Sequence, residues 1–124
     1  MKKLEIQSIN RELEKLKGNS DIIGIALVKR NGLLVSSRLP RDVDDRKFCA
    51  MAATMFGAIE TAASTIGSNK VDNLTVEFSD FQLISMETNE NMILVSLLNL
   101  NVNLGLIFIE IEEGVKNIKK ILNK

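Results

Sequence analysis

The chain has 124 residues, of which 45% are hydrophobic, and its sixteen acidic residues balance its sixteen basic residues. This charge balance gives no broad field that attracts nucleic acid or an anionic membrane, and the lack of Trp and Tyr leaves no evident stacking platform for bases. The absence of histidine excludes histidine-based acid–base catalysis and metal ligation, and a single cysteine, Cys49, excludes an internal disulfide framework.

The N-terminal segment MKKLEIQSINRELEKLKG carries charge throughout and lacks the apolar core of a secretory signal. The lone cysteine fits a reducing compartment. These two features predict a soluble, cytoplasmic protein, and the length predicts one domain over residues 1–124.

The first predicted elements are a helix and a hairpin. Apolar residues at helical spacing predict an amphipathic helix over residues 3–17, which Gly18 and Asn19 end. In DIIGIALVKRNGLLVSS, two extended runs flank Asn31-Gly32, a dipeptide that tolerates positive φ at both turn positions and favours a hairpin. The first run, Ile22–Lys29, is apolar on both faces, which indicates a central strand covered above and below.

A polar loop, RLPRDVDD, leads into a second helix, which Asp42 or Asp44 can cap. From Phe48 to Asn69 the only charge is Glu60, and this length invites a transmembrane interpretation. Thr, Ser, Gly and Ala are too plentiful and Leu is absent, so the composition disfavours that interpretation.

Three strands are predicted after the second helix. The segment Asn73–Ser79 alternates, with Leu74, Val76 and Phe78 on one face. FQLISMET follows as its partner strand. After a turn at Asn89–Asn91, the segment MILVSLLNL is a second run that is apolar on both faces.

The segment Leu104–Ile111 looks like a strand, but a helix accounts for more residues. A strand would leave Val115, Ile118 and Leu122 to a separate element. A helix capped by Asn103 gives one apolar stripe over five turns and places lysines, Lys124 among them, at the end that favours cations. We therefore predict a helix, although Gly114 weakens it by about 1 kcal/mol relative to Ala. The stripe consists of Leu104, Ile107, Phe108, Ile111, Val115, Ile118 and Leu122.

The predicted order is α-β-β-α-β-β-β-α, an α+β fold with five strands. Two strands that are apolar on both sides require cover on both faces of the sheet. The terminal helices have one apolar stripe each and are expected to share one face. The middle helix is expected to take the other face.

The middle helix has two faces that need shelter from water. Its large residues are expected on the sheet: Phe48, Met51, Met55, Ile59, Ala62 and Ile66. A small-residue stripe lies roughly opposite and consists of Ala50, Thr54, Gly57, Thr61 and Ser64. A solvent-facing stripe normally carries Lys and Glu, so we interpret this one as the contact with a second copy across a twofold axis. The alternative is an exposed face that is merely rich in Ala and Thr.

No group of residues indicates a catalytic, cofactor or metal site. Cys49 has no base partner and is interpreted as a buried structural thiol. Helix capping and solvation explain Asp42, Asp44 and Asp45 better than weak cation binding does. The glycines lack the spacing of a phosphate-binding loop.

Arg38, Arg41 and Arg46 flank the same acidic loop. An arginine supplied to a partner's nucleotide site can stabilise phosphoryl transfer. Surface arginines near a loop are common, and this ordinary explanation is favoured.

Three segments together resemble the roadblock family: the hairpin GIALVKRNGLLVSS, the helix CAMAATMFGAIETAASTIG and the final-helix start NLGLIFIEIEE. The resemblance covers nearly the whole chain. It implies a five-stranded antiparallel sheet covered by helices on both faces, the roadblock/longin-like and profilin-like fold. It also places NLG at the start of the last helix.

The resemblance further implies a non-enzymatic homodimer. Roadblock domains typically join through the middle helix and the third strand, here Ala50–Ser64 and Asn73–Ser79. Pairing two such edge strands would also remove the hazard of unpaired backbone groups. Family members act as scaffolds and regulators of Ras-like small GTPases, and in bacterial polarity regulators of this type the dimer promotes GTP hydrolysis by its partner. The implied interface residues are Ala50, Thr54, Gly57, Thr61, Ser64, Leu74 and Val76.

Two other functions stay open. The chain would in one case be a structural subunit of the light-chain type, which clamps a larger complex without a GTPase. In the other case it would be a ligand-sensing domain, although it offers few convergent buried polar groups for a core pocket.

Overall fold

The computed structural model describes residues 1–68, 70–89 and 91–123. In chain order the elements are α1 (Lys3–Lys17), β1 (Ile22–Lys29), β2 (Leu34–Arg38), α2 (Asp45–Thr65), β3 (Leu74–Glu77), β4 (Gln82–Asn89), β5 (Met92–Leu98) and α3 (Leu104–Leu122). This order confirms the prediction from the sequence. Three predicted features reach residues outside the described ranges: the end of the uncharged span at Asn69, the turn residue Glu90 and the terminal Lys124.

The strands form one antiparallel sheet in the order β2-β1-β5-β4-β3. At its centre Ala26 of β1 lies opposite Val95 of β5, and Leu27 lies opposite Leu94. The central position of β1 and β5 confirms the prediction from their two apolar faces. β2 and β3 are the edges, and β3 is shorter than the predicted segment Asn73–Ser79.

Helices cover both faces of the sheet. Side chains of β1 alternate between two cores, because Ile25 and Leu27 face α1 and α3 while Ala26 and Val28 face α2. The terminal helices therefore share one face and α2 takes the other, as predicted.

Both predicted helix caps are present. Asp44 Oδ1 accepts a hydrogen bond from Lys47 N at 3.2 Å and caps α2, and Asn103 Oδ1 accepts one from Leu106 N at 3.3 Å and caps α3. The helix alternative for the last segment is thus confirmed. The buried residues of α3 are Ile107, Ile111, Gly114, Val115 and Ile118.

α1 and α3 pack antiparallel. Asn19 Nδ2, just after α1, donates to Glu110 Oε2 at 2.7 Å, and Asn117 Nδ2 donates to Glu12 Oε2 at 3.2 Å. Between these bonds, a Cβ atom at position 114 would lie 2.7 Å from the Cδ1 atom of Leu16. A glycine at this position lets the Leu16 side chain pack against the α3 backbone, which explains a residue that otherwise weakens the helix.

The β1–β2 hairpin turns through Gly32, which has a φ of 93°. Gly32 N donates to Lys29 O at 2.8 Å, and Lys29 N donates to Leu33 O at 2.9 Å. Asn31 has no positive φ, so the turn does not use the left-handed region at both positions of the dipeptide. The reason is the loop length: the loop includes Arg30, and one left-handed residue at its third position closes such a turn.

Candidate interaction surface

α2 rests on the sheet with a strip of mostly small side chains. Its buried residues recur at helical spacing and are Cys49, Ala52, Ala53 and Phe56. The strands supply the bulk opposite them, through Val28, Leu83, Ile93, Val95 and Leu97. None of the helices in the described part of the chain, α2 included, has the length and apolarity needed to cross a membrane.

This contact corrects the predicted orientation of α2. Among the large residues expected on the sheet, Met51 is 57% exposed, Ile59 39% and Ile66 83%, and Ala62 is also exposed. Phe48 and Met55 are half-buried against this core, as predicted. The prediction was wrong for the other four residues because it ranked residues by the free energy gained when each side chain is buried. Bulky strand residues leave room mainly for small helix residues, so α2 is rotated and its outward face is more apolar than expected.

Glu60, the only charge between Phe48 and Asn69, is bound by Arg30 of the hairpin. The guanidinium also pairs with Glu87 of β4 and lies over the ring of Phe56, 5.7 Å from its centroid. The hydrogen bond to Glu60 raises the pKa of Arg30, against the opposing effect of burial. Sequence analysis missed this contact because its members are far apart in the chain, although a lone Glu in an apolar helix was a signal.

Hydroxyl groups on the outward face of α2 are bonded to the helix itself. Thr54 Oγ1 donates to Ala50 O at 2.9 Å, and Thr61 Oγ1 donates to Gly57 O at 3.1 Å. Ser64 Oγ donates to Thr61 O at 2.6 Å. Because these hydroxyls already have acceptors, the face is less polar than its Thr and Ser content suggests.

Gly57 is half-buried and lies midway along α2, one turn after the buried Ala53. A Cβ atom there would meet no described atom within 4 Å. Glycine in a helix interior costs about 1 kcal/mol relative to Ala, and the packing of the described residues gives no reason for that cost. A flat, uncharged surface is the result.

β3 is one edge strand of the sheet, and two of its side chains point to the face that α2 covers. Leu74 and Val76 are half-buried against the α2-side core, while Thr75 and Glu77 are exposed. In the described part of the chain, β3 pairs only with β4, so its other edge carries unpaired backbone groups. α2 itself packs on β1, β2 and β5.

The structure therefore brings the seven predicted interface residues to one side of the sheet. Thr54, Thr61 and Ser64 are exposed. The half-buried members are Ala50, Gly57, Leu74 and Val76.

Cys49 and the acidic loop have structural roles. Cys49 is fully buried, and burial raises the pKa of its thiol to about 11, with a smaller contribution from the Asp45 carboxylate. Such a thiol stays protonated and out of reach of reagents. Asp44 caps α2, and Asp45 Oδ2 accepts a hydrogen bond from Ser37 Oγ. Across residues 1–68, 70–89 and 91–123, no group of acidic or cysteine side chains is arranged to hold a metal ion.

The three arginines near this loop differ in their surroundings. Arg38 pairs with Glu14 of α1 and also donates from Nη1 to Ser37 O at 2.7 Å. Arg41 and Arg46 are exposed. Arg38 therefore fastens β2 to α1.

Comparison with known proteins places this arrangement in a family. Residues 9–97 match the family model described as the Roadblock/LC7 domain. An uncharacterised protein of Methanocaldococcus jannaschii, MJ1340, is 35% identical over 111 residues, which are 90% of this chain and 96% of that protein.

Solved structures share the fold. MglB of Myxococcus xanthus superposes with a TM-score of 0.92 at 24% identity, over 99% of this chain and 93% of that one. A Roadblock/LC7 domain from Streptomyces avermitilis gives a TM-score of 0.86 at 16% identity, over 93% of this chain and 98% of that one. The family model spans more than half of the sequence, and the chain belongs to the Roadblock/LC7 domain family.

Proposed function

We propose that this chain forms a homodimer through α2 and β3, and that the dimer binds a Ras-like small GTPase in the cytoplasm as a non-enzymatic regulator or scaffold. The observation that carries the proposal is the outward face of α2, which is uncharged from Phe48 to Ile66 apart from the paired Glu60. The proposed interface residues are Ala50, Thr54, Gly57, Thr61, Ser64, Leu74 and Val76.

The shape of the face favours a second helix as its occupant. Small residues around Gly57 allow two helix backbones to approach closely, and a twofold axis would bring the same residues from both copies together. Met51, Ile59 and Ile66 add exposed apolar surface to α2, but helical spacing places Ile59 and Ile66 on the side of the helix away from Gly57.

The edge of β3 supports the same symmetry. Two β3 strands that pair across the axis would satisfy their free backbone groups and continue the sheet from one copy to the other. The half-buried Leu74 and Val76 lie on the α2 side and would join the contact between the helices.

The proposal of a GTPase partner is supported by family membership and by the chemistry of the chain. Members of this family act as scaffolds and regulators of Ras-like GTPases, and this chain carries neither histidine nor a phosphate-binding loop of its own. Nucleotide chemistry would belong to the partner. The dimer would hold the switch region of the GTPase in one conformation. This would change the rate at which the GTPase hydrolyses GTP.

A variant with a charged side chain at position 57 of α2 tests the proposed dimer. Gly57→Arg should leave each protomer folded, because a Cβ atom at this position has open space around it among the described residues. We expect a dimer for the wild type and a monomer for Gly57→Arg in analytical ultracentrifugation, with unchanged circular dichroism. Gln7→Arg is the matched control, because Gln7 is exposed on the opposite side of the sheet.

Binding to the host's small GTPases, each loaded with GDP or with a GTP analogue, tests the partner. We expect one GTPase to bind the wild type and Gln7→Arg in a nucleotide-dependent manner and to lose binding with Gly57→Arg. A dimeric Gly57→Arg variant would show that the interface is assigned wrongly. A monomeric variant that binds normally would remove the dimeric platform, and capture of scaffold proteins without any GTPase would favour the light-chain-type function.

A further inference from the structure

At one end of the α1–α3 helix pair lies a groove that is lined by both apolar and acidic side chains. The groove has a volume of about 510 Å³ and lies between the segment after α1 and the first turns of α3. Leu106 and Ile109 line it and are 64% and 65% exposed. Carboxylates of Asp21, Glu110 and Glu113 line it as well. We call these five residues the acidic end.

The other end of the helix pair is basic and also apolar. Leu4 is 76% exposed and Met1 50% exposed at the start of α1, where Lys2 and Lys3 are exposed too. Lys2, Leu4, Glu5 and Ser8 of this end line a groove of about 380 Å³ together with Ile121 of α3, so one carboxylate lies among the lysines. The exposed Lys119 and Lys120 precede Ile121. We call the following residues the basic end: Met1, Lys2, Lys3, Leu4, Lys119, Lys120 and Ile121.

The two ends cannot meet within one copy. α1 and α3 are antiparallel, so the acidic end lies where α1 finishes and the basic end where it begins. A helix of 15 residues separates them by about 22 Å. The ion pairs among the described residues, which join Arg30 to Glu60 and Glu87 and Arg38 to Glu14, use none of these charges.

We infer that the acidic end of one copy binds the basic end of a second copy. Leu4 and Met1 would enter the groove beside Leu106 and Ile109, while lysine ammonium groups approach the three carboxylates. The occupant is a second copy because the chain itself displays both complementary surfaces. Lys17 also lies in the last turn of α1, but it does not line the acidic groove.

This contact is heterologous, because it joins two different surfaces, and each copy keeps one free end of each kind. It lies on the side of the sheet opposite to α2. It can therefore link α2-mediated dimers into larger assemblies, and it does not depend on the proposed GTPase partner.

Complementary variants test the inference. We expect the wild type at low salt to exceed the dimer mass with rising concentration in light scattering and sedimentation. Leu4→Glu and Ile109→Lys should each stop at the dimer, because every contact needs one intact end of each kind. An equimolar mixture should form larger particles again, because Ile109→Lys supplies the basic end and Leu4→Glu the acidic end. Raising NaCl from 0.05 to 0.5 M should weaken the wild-type association about tenfold.

Arg11→Gln is the control, because it lowers the net charge by one, as Leu4→Glu does, at an exposed position in the middle of α1. It should assemble as the wild type does. Unchanged melting curves for all three variants would show that the effects arise at the surface. A wild type that stays dimeric at millimolar concentration, or a mixture that assembles no further than its components, would overturn the inference, whatever the outcome for the GTPase.

Discussion

Two helical glycines, Gly114 in α3 and Gly57 in α2, show how packing differs between the helices on the two faces of the sheet. A Cβ atom at Gly114 would overlap Leu16 of the neighbouring helix, whereas a Cβ atom at Gly57 would have no described atom within 4 Å beyond its own helix backbone. Both glycines weaken their helices to a similar degree. Among the described residues, only the first is explained by a contact within the protomer, and the proposed dimer would explain the second.

The surroundings of the two glycines follow the same division. Most exposed positions of α1 and α3 carry Lys, Glu and Arg, as expected for helices that face water, and the apolar exceptions Leu4, Leu106 and Ile109 lie near the helix starts. Exposed positions in the later turns of α2 carry Ala, Thr, Ser and Ile. This difference in charge is the reason to propose a partner for α2, and the following variants test that proposal.

The largest loss of stability is expected for a substitution on the side of α2 that faces the sheet. Phe56 has no exposed surface, so Phe56→Ala should lower the free energy of unfolding by about 4 kcal/mol. Ile66→Ala, on the exposed side, should change it by less than about 0.5 kcal/mol. Urea unfolding in the Gly57→Arg background measures both values without the dimer. Equal losses at the two positions would contradict the orientation of α2.

An intermediate effect is expected where α1 meets α3. Gly114→Leu forces a side chain into the space of Leu16 and should destabilise the protomer by about 2 kcal/mol, even though leucine favours helix. The double variant Gly114→Leu, Leu16→Ala should recover part of this loss in urea unfolding. Gly57→Leu serves as the comparison and should not destabilise the protomer. No recovery in the double variant would show that Leu16 is not the obstacle.

The smallest effect is expected for one methyl group at Gly57. Gly57→Ala should stabilise the isolated protomer by about 0.5–1 kcal/mol, because alanine favours helix and its Cβ atom meets no neighbour. The same methyl group should weaken the proposed dimer, because it separates the two helix backbones. Dilution sedimentation combined with thermal unfolding would detect these opposite changes. A dimer that became tighter would place Gly57 away from the twofold axis.

Much of the fold could be predicted from local patterns. Strands apolar on both faces identified the centre of the sheet, and Asn103 with a continuous apolar stripe identified α3. These patterns work because each depends on residues close together in the chain. The orientation of α2 could not be predicted in the same way, since apolar residues surround this helix and its spacing favours no single face. The bulk of the strand residues beneath it decides the orientation.

The candidate surface was predictable in part. The small-residue stripe was visible in the sequence, and it is on the outward side of α2. The exposed Met51, Ile59 and Ile66 were not foreseen, because large apolar residues were assigned to the core. The role of Arg30 was also missed, because it joins a turn, a helix and a strand that only the folded chain brings together.

The internal hydrogen bonds of Thr54, Thr61 and Ser64 have a consequence for selectivity. A second copy that docks as proposed would find the hydroxyl donors already used, so these hydroxyls could only accept hydrogen bonds, and shape fit and exclusion of water would supply most of the binding free energy. Such a surface discriminates weakly between look-alikes, and a paralogue with equally small residues should be able to replace one copy. In the proposed dimer, the choice between self and paralogue would then depend on β3, where strand register must match residue by residue.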